Sequence, residues 1–271
     1  MIKLIAFDID GTSINHLRKV DPETLSFFKE YHKKGYQFIP TTGRSLDGIP
    51  QAMLDLGIMD YAISSNGARV TNLKTGEDIF AHLLSPERAA ELIDLIKPYN
   101  VRVTVHANGV CYDTGRFQRL GRKILFHSEF EETPIVRDLA TFIRENQLMV
   151  EKIQLFSLSR KRLMKLQRKL DEFKDISYPM SSSNYFEVTK KGANKGRALT
   201  YLSGYLEIPL NEILVIGDDS NDIAMFKVIE NSIAMENASD RVKNHAKFVG
   251  FPNRKGGFSK SIIAYFEKYG V

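Results

Sequence analysis

The sequence predicts an α/β protein built on a doubly wound, mostly parallel sheet, with a second, α+β domain inserted into it. Three observations carry that expectation. Short apolar runs such as KLIAF near the amino terminus and EILVIG near residue 213 read as strands buried on both faces. The stretches between them carry apolar residues at three- and four-residue spacing, as crossover helices do. From about Leu83 to Thr189 the texture changes, which marks a separate folding unit.

In chain order, KLIAF is a strand, and DPETLSFFKEYHKKG is a helix opened by Asp21 and Pro22 and closed by Gly35. YQFIPTTG is the second strand and SLDGIPQAMLDLGI a less regular helix. YAISSNGARV is a third strand that leaves through Asn66 and Gly67 into a hairpin. In the middle, helices begin at Ser85 and Thr133, and a basic helix lies near residue 160. They alternate with the strands VRVTVHA, EKIQLFSL and YFEVT. The first pattern then returns. NKGRALTYLSGYL is a helix, EILVIGDD a strand, SNDIAMFKVI a helix, NSIAM a strand and GGFSKSIIAYFEKYG a closing helix. The expected division is residues 1–82 with 190–271 for the sheet domain, and 83–189 for the insert.

With 271 residues, 43% of them hydrophobic and 26% charged, the chain has the make-up of a soluble globule with a sizeable core. No apolar run approaches the length of a membrane span, and the stretch LIAF, cut by Asp8, is too short for a secretion signal. Cys111 is the only cysteine, so no intramolecular disulfide can form and a cytoplasmic setting is expected. The net charge of +5 is too small to select a nucleic-acid partner. The densest basic run, SRKRLMKLQRKLDEF, places Leu163, Leu166, Leu170 and Phe173 on one helical stripe. Its cations are read as a solvated face, and neither nucleic acid nor membrane is expected as a partner.

The chemistry begins at MIKLIAFDIDGTS. On a strand, Asp8 and Asp10 point to one face and Ile9 to the other, so the two carboxylates converge. They stay ionised if a cation sits between them; otherwise one takes up a proton. Gly11 permits a turn there and the Thr12 hydroxyl can tie it down. A plain strand end with a solvated Asx turn is the alternative.

Three further stretches lie at strand ends, the edge of an open sheet where ligands bind. In TTGR, Thr42 and the backbone around Gly43 can donate to an anion. In KKGANKG, Lys195 stands at a helix start, where the dipole already favours negative charge. In VIGDDSND, Asp218 ends a strand and Asp222 follows four residues later, with Asn221 beside them. Asp219 or Ser220 acting as a helix cap is the structural alternative. Oxygen ligands from Asp8, Asp218 and a backbone carbonyl suit a hard cation such as magnesium.

The motifs DIDGT, TTGR, KKGANKG and GDDSNDIAM, with SSNGA and IAMENASDRVKNHA, resemble the haloacid dehalogenase superfamily, in its Cof-type sugar-phosphatase branch, over nearly the whole chain. Glu236 and Ser13 depart from the small residue and the leucine usual in that family. The resemblance implies a Rossmann-like core, a cap inserted between the second and third motifs, an aspartate nucleophile and a magnesium cofactor. Carried onto this chain, it makes Asp8 the nucleophile of an aspartyl-phosphate intermediate and Asp10 the proton carrier. Asp8, Asp218 and the carbonyl of Asp10 hold the metal. Thr42, Lys195, Asn221 and the amides near Ile9 and Gly43 orient the phosphoryl oxygens, and Asp222 supports Lys195 or a metal-bound water.

A small phosphate ester is the expected substrate, with sugar phosphates first and pyridoxal or flavin phosphates second. A phosphomutase and a nonenzymatic phospholigand-binding protein are the competing readings. In the cap, HANGVCYDTGRFQRLGRK reads as a glycine-punctuated loop that offers Tyr112, Arg116 and Arg119 to the substrate. A monomer or weak homodimer is expected.

Overall fold

A computed structural model of the protein describes residues 1–15, 17, 19–115, 134–178, 180–182 and 184–270. The first part of the chain forms β1 (Leu4–Phe7), α1 (Pro22–Lys33), β2 (Gln37–Pro40), α2 (Gln51–Leu54), β3 (Tyr61–Ser64), β4 (Arg69–Asn72) and β5 (Asp78–Ala81). Then come α3 (Pro86–Ile96), β6 (Arg102–Ala107), β7 (Val110–Asp113), α4 (Leu139–Glu145), β8 (Val150–Phe156), α5 (Arg160–Leu170), β9 (Ile176–Ser177), β10 (Met180–Ser182) and β11 (Tyr185–Lys190). The chain closes with α6 (Lys195–Tyr205), β12 (Ile213–Gly217), α7 (Ile223–Phe226), β13 (Ser232–Ala234), α8 (Asp240–Lys243), β14 (Phe248–Val249) and α9 (Gly257–Tyr269). Among the described residues, no helix is long and apolar enough to cross a membrane.

Contacts divide the chain into two compact units. One comprises Met1–Arg44, Ile49–Ala81 and Asn194–Val271; the other comprises Ser45–Gly48 and His82–Ala193. In the first, five strands in the order β14-β13-β12-β1-β2 pair in parallel. The alternation of side chains along β1 explains its unbroken apolar sequence. Leu4 and Ala6 join a core with Val215 of β12 and with Ala198, Leu199 and Leu202 of α6. Phe7, on the other face, meets Phe28 of α1 with ring centroids 5.0 Å apart and Phe258 of α9 at 5.6 Å. A strand covered on both faces has no use for a polar side chain on either.

The expected third strand forms, and so does the hairpin expected after it, but the strand lies in a separate sheet rather than in the parallel one. Tyr61–Ser64 belongs to a three-stranded antiparallel sheet, β3-β4-β5, and meets the end of β2 through a parallel bridge from Ile63 to Thr41, where the Thr42 amide donates to the Ile63 carbonyl at 2.8 Å. The turn through Asn66 and Gly67, both at positive φ, folds the chain back on itself, so β3 pairs with the segment that follows it. The helix expected over SLDGIPQAMLDLGI is two short pieces, a 3₁₀ turn at Leu46–Gly48 and the four-residue α2, with Pro50 between them. Pro50 lacks the amide hydrogen that a continuous helix needs. The segment Ser45–Gly48 also groups with the second unit, where the Asp47 amide donates to the Gly109 carbonyl at 3.0 Å.

The second unit is an antiparallel sheet in the order β10-β11-β8-β6-β7, with β9 on β11. One face carries Val105, Ile153, Leu155 and Val188 against apolar residues of α3, α4 and α5. The stripe read from the basic run is buried there, with Leu163, Leu166 and Leu170 at 2% exposure or less and Phe173 packed at the margin. The opposite sheet face is polar: Thr104 donates to Gln154 at 2.7 Å, and Lys152 pairs with Glu187 at 2.7 Å. The helix expected from Thr133 is α4, which starts at Leu139 under a cap from Asp138.

Tyr112, expected in a loop, lies in β7 opposite Val105, and its ring packs against Phe142 at 5.2 Å and the apolar layer. Asn108 and Gly109, both at positive φ, make a tight turn that converts this stretch into a hairpin. Arg116 and Arg119 lie outside the described residues.

Candidate active site

The strand ends assemble the site. Because β12, β1 and β2 are neighbours, the residues that follow them, Asp218, Asp8 and Thr42, arrive at one edge of the sheet. Asp8 is buried, and its Oδ1 accepts from Nζ of the fully buried Lys195 at 2.6 Å. The same ammonium group donates to Asp222 Oδ1 at 2.7 Å. Asn194 caps α6 by accepting from the Arg197 amide at 2.8 Å, which fixes Lys195 as the first residue of that helix. Gly196 lets α6 approach α7, since a Cβ there would stand 2.1 Å from the Ala224 carbonyl oxygen.

The cap expected from Asp219 or Ser220 is not made: Asp222 stands at the N-cap position of α7, makes no side-chain bond to that helix, and instead closes the loop before it. Its Oδ2 accepts from the amides of Asp218 at 2.9 Å and Asp219 at 3.0 Å. Both its oxygens are therefore engaged within the protein. Asp218 Oδ1 accepts from the Thr12 hydroxyl at 2.9 Å, and its Oδ2 from Asn237 Nδ2 at 3.1 Å. Asn237 also donates to the Gly11 carbonyl at 2.9 Å and so joins the turn after Asp8 to the acidic residue after β12.

Gly11 stands at φ +80°, and a Cβ there would come within 2.1 Å of Asp218 Oδ2. We expect Gly11→Ala to lose roughly 1–3 kcal/mol of stability from strain at that φ. Pushing Asp218 aside would lower activity as well. A thermal melt together with an assay of turnover checks this, and a variant that matches the wild type in both would contradict the contact.

Asp8, Asp218 and Asp222 each present a carboxylate oxygen within 4.8 Å of the others. Were all three ionised, three carboxylates against one lysine would leave two uncompensated negative charges in a buried place. Burial pushes the Asp8 carboxyl well above its ordinary range; Lys195 opposes the rise, while Asp222 and Asp218 add to it. Burial, and then Asp222, push Asp218 up to about 7, against the Thr12 hydrogen bond. Burial by itself would lower the pKa of Lys195, but Asp222 and Asp8 outweigh it and raise it, so the ammonium form is held. A divalent cation matches the charge deficit, and carboxylate oxygens are the donors that magnesium takes. The residues present therefore fit the metal. Each of the three already accepts hydrogen bonds, Asp8 from Lys195, Asp218 from Thr12 and Asn237, and Asp222 from Lys195 and two amides, and each presents an oxygen that could hold a cation.

Asp10 behaves differently from the strand-based expectation. β1 ends at Phe7, and residues Ile9–Ser13 form a tight turn in which Asp10 and Gly11 leave helical geometry. Strand alternation therefore does not bring Asp8 and Asp10 together. The Asp10 side chain is 49% exposed, and it accepts from Arg44 Nε and Nη2, each at 2.6 Å. Ile9 is buried, and its carbonyl accepts from the Ile14 amide at 3.1 Å.

Beyond β2, the buried Thr42 accepts at its hydroxyl from the Arg44 amide at 3.1 Å, and its carbonyl accepts from the Asn66 amide at 2.9 Å. Gly43 lies against Asn66, whose Oδ1 would be 2.9 Å from a Cβ placed there. Asn221 donates through Nδ2 to that same Oδ1 at 2.9 Å. Its own Oδ1 is buried and has no hydrogen-bond partner among the described residues. What Asn221 offers a ligand is thus an acceptor, which suits a cation's water better than a phosphoryl oxygen.

Sequence reasoning missed three participants. Asn66 was read only as a turn residue, Arg44 only as part of TTGR, and Asn237 only within a quoted motif. An asparagine before a glycine signals a left-handed turn, but nothing in the sequence says what its side chain meets.

The family model described as haloacid dehalogenase-like hydrolase matches residues 5–262. The chain is 26% identical to the Bacillus subtilis phosphatase YwpJ, over 94% of this chain and 97% of that one. It is 25% identical to the 5-amino-6-(5-phospho-D-ribitylamino)uracil phosphatase YwtE of the same organism, over 98% and 96%. Among solved structures, a Thermotoga maritima protein superposes with a TM-score of 0.83 at 26% identity, covering 97% of each chain.

Proposed function

Given that the chain belongs to the haloacid dehalogenase-like hydrolases and is a phosphatase, we propose that it hydrolyses small phosphate monoesters with magnesium through an aspartyl phosphate on Asp8. The observation that carries this reading is the buried Asp8 carboxylate just after β1, with Lys195 bonded to it at 2.6 Å and an Asp218 carboxylate oxygen within 4.8 Å.

A phosphate dianion repels a carboxylate, so its charge must be offset before Asp8 can reach phosphorus. A divalent cation held by Asp8, Asp218 and the Asp10 carbonyl supplies Lewis-acid charge neutralisation when bound. Lys195 supplies a fixed positive charge in a dry setting, where it is worth far more than in water. Asp222 keeps that ammonium aimed at Asp8. Thr42 and the backbone around Gly43 bound the place where the phosphoryl oxygens sit, with Asn221 holding a water nearby. Asp8 then displaces the ester oxygen in line, and water cleaves the resulting acyl phosphate.

Asp10 gives its proton to the leaving oxygen and later takes one from that water. Arg44, bonded to both oxygens, holds Asp10 as the carboxylate, so that bond must loosen for Asp10 to take up from solvent the proton it then donates.

Sugar and polyol phosphates are the proposed substrates. YwtE, which resembles this chain along its whole length, is named for a phosphorylated ribityl chain on a pyrimidine ring, which supports an open-chain polyol phosphate. The inserted unit, expected over residues 83–189, is the proposed source of selectivity, and a cytoplasmic setting goes with this reading. Phosphate release from a panel of sugar, polyol, pyridoxal and flavin phosphates, each with and without magnesium, tests it. We expect turnover only with the metal, and a rise in melting temperature when magnesium is added to the metal-free protein. Turnover that persists in a chelator, with no thermal shift on adding magnesium, would overturn the reading.

A further inference from the structure

Helix α5 carries more positive charge than the net charge of the whole chain. Its eleven residues hold six cations and no carboxylate. The chain as a whole has a formal net charge of +5, so without this helix it would be one unit negative. The leucine stripe faces the core, which turns Arg160, Lys161, Met164, Lys165 and Arg168 outward, all exposed. Among the described residues, Lys169 alone of the six cations pairs with a carboxylate, Glu172 at 3.2 Å, and Arg162 reaches the Asn100 carbonyl at 3.3 Å.

Two details set this face apart from an ordinary solvated one. The first turn holds Arg160, Lys161 and Arg162 and no acidic residue, against the helix dipole, which favours negative charge at that end. Helix stability alone would select the reverse. Apolar side chains also stand in the water beside the cations: Leu158, just before the helix, is 86% exposed, and Met164, in the midst of the outward cations, is 47% exposed.

We propose that this face docks the protein on an anionic lipid surface. The cations attract the headgroups, and Leu158 and Met164 enter the boundary between headgroups and acyl chains. A nucleic acid would satisfy the cations equally well, but its sugar-phosphate backbone offers nothing to an exposed leucine and methionine. The pairing of outward cations with unburied apolar side chains therefore favours lipid.

The test is co-sedimentation of the full chain with phosphatidylglycerol-rich vesicles and with pure phosphatidylcholine vesicles at low ionic strength. Binding to the first, absence from the second and release by salt are expected. The combined variant Lys161→Glu, Lys165→Glu, Arg168→Glu should bind the anionic vesicles about 100-fold more weakly. Leu158→Ser with Met164→Ser should bind about tenfold more weakly while keeping every charge. Each altered side chain is exposed and lies outside the catalytic machinery, so melting temperature and turnover of a soluble phosphate ester should match the wild type. Failure to bind anionic vesicles, equal binding to both kinds, or charge-reversed protein that binds like the wild type would overturn the proposal. Tighter binding to an oligonucleotide than to the vesicles, indifferent to Leu158 and Met164, would overturn it in favour of nucleic acid.

Discussion

Asp8→Asn is expected to lower phosphatase turnover by on the order of 10⁴-fold or more while leaving the protein folded and at least as heat-stable in the absence of metal. The amide keeps the shape of the carboxylate and can still accept from Lys195, now at 2.6 Å, but it cannot attack phosphorus. The stability half follows from the charge count around the site. Burial and the neighbouring Asp222 and Asp218 raise the Asp8 pKa, so its ionised form works against folding near neutral pH. Removing that charge relieves the metal-free protein. Magnesium should correspondingly raise the melting temperature of the variant less than that of the wild type. Calorimetry with and without the metal, beside a turnover assay, separates the effects. Turnover close to wild type would remove Asp8 from the role of nucleophile.

Lys195→Met is expected to lose both activity and stability. Methionine fills similar space but leaves Asp8 and Asp222, both buried, without the ammonium group that bonds them at 2.6 and 2.7 Å. Breaking a buried ion pair from one side costs about 3–5 kcal/mol, because the surviving charge stays unpaired. At about 2–4 °C per kcal/mol for a chain near this size, the melting temperature should fall by roughly 6–20 °C. The double variant Lys195→Met, Asp222→Asn should recover part of that loss without recovering turnover, since one stranded charge is gone and the catalytic cation is still missing. An unchanged melting temperature in Lys195→Met would mean that the buried triad contributes little to folding. Full activity there would remove Lys195 from the chemistry. The two variants thus carry different signatures: Asp8→Asn separates chemistry from folding, and Lys195→Met joins them.

The acidic pair in DIDGT shows where sequence reading reached its limit. Period-two alternation holds only while a segment remains a strand, and β1 stops at Phe7, one residue before the first aspartate. The turn that follows gives Asp8 to Lys195 and Asp10 to Arg44, two partners that are 187 and 34 residues away in the chain. Tyr112 failed for a related reason. Glycines around it read as loop, yet Asn108 and Gly109 supply the positive φ of a tight hairpin, and its ring joined an apolar layer that no local pattern announces.

By itself the sequence determined the parallel strands, the crossover helices, the change of texture in the middle and the identity of Asp8, Lys195, Asp218 and Asp222 as candidates. Those properties follow from local rules, namely the alternation of a strand covered on both faces, the stripe and caps of a helix, and the rarity of carboxylates at the ends of apolar runs. Only the tertiary structure decided that Asp222 grips Lys195 and two amides, that Asn237 ties Gly11 to Asp218, and that Asn66 and Asn221 meet beside Gly43. A side chain's partner is set by which strands become neighbours, and that order is fixed by burial of the whole sheet rather than by any stretch within it.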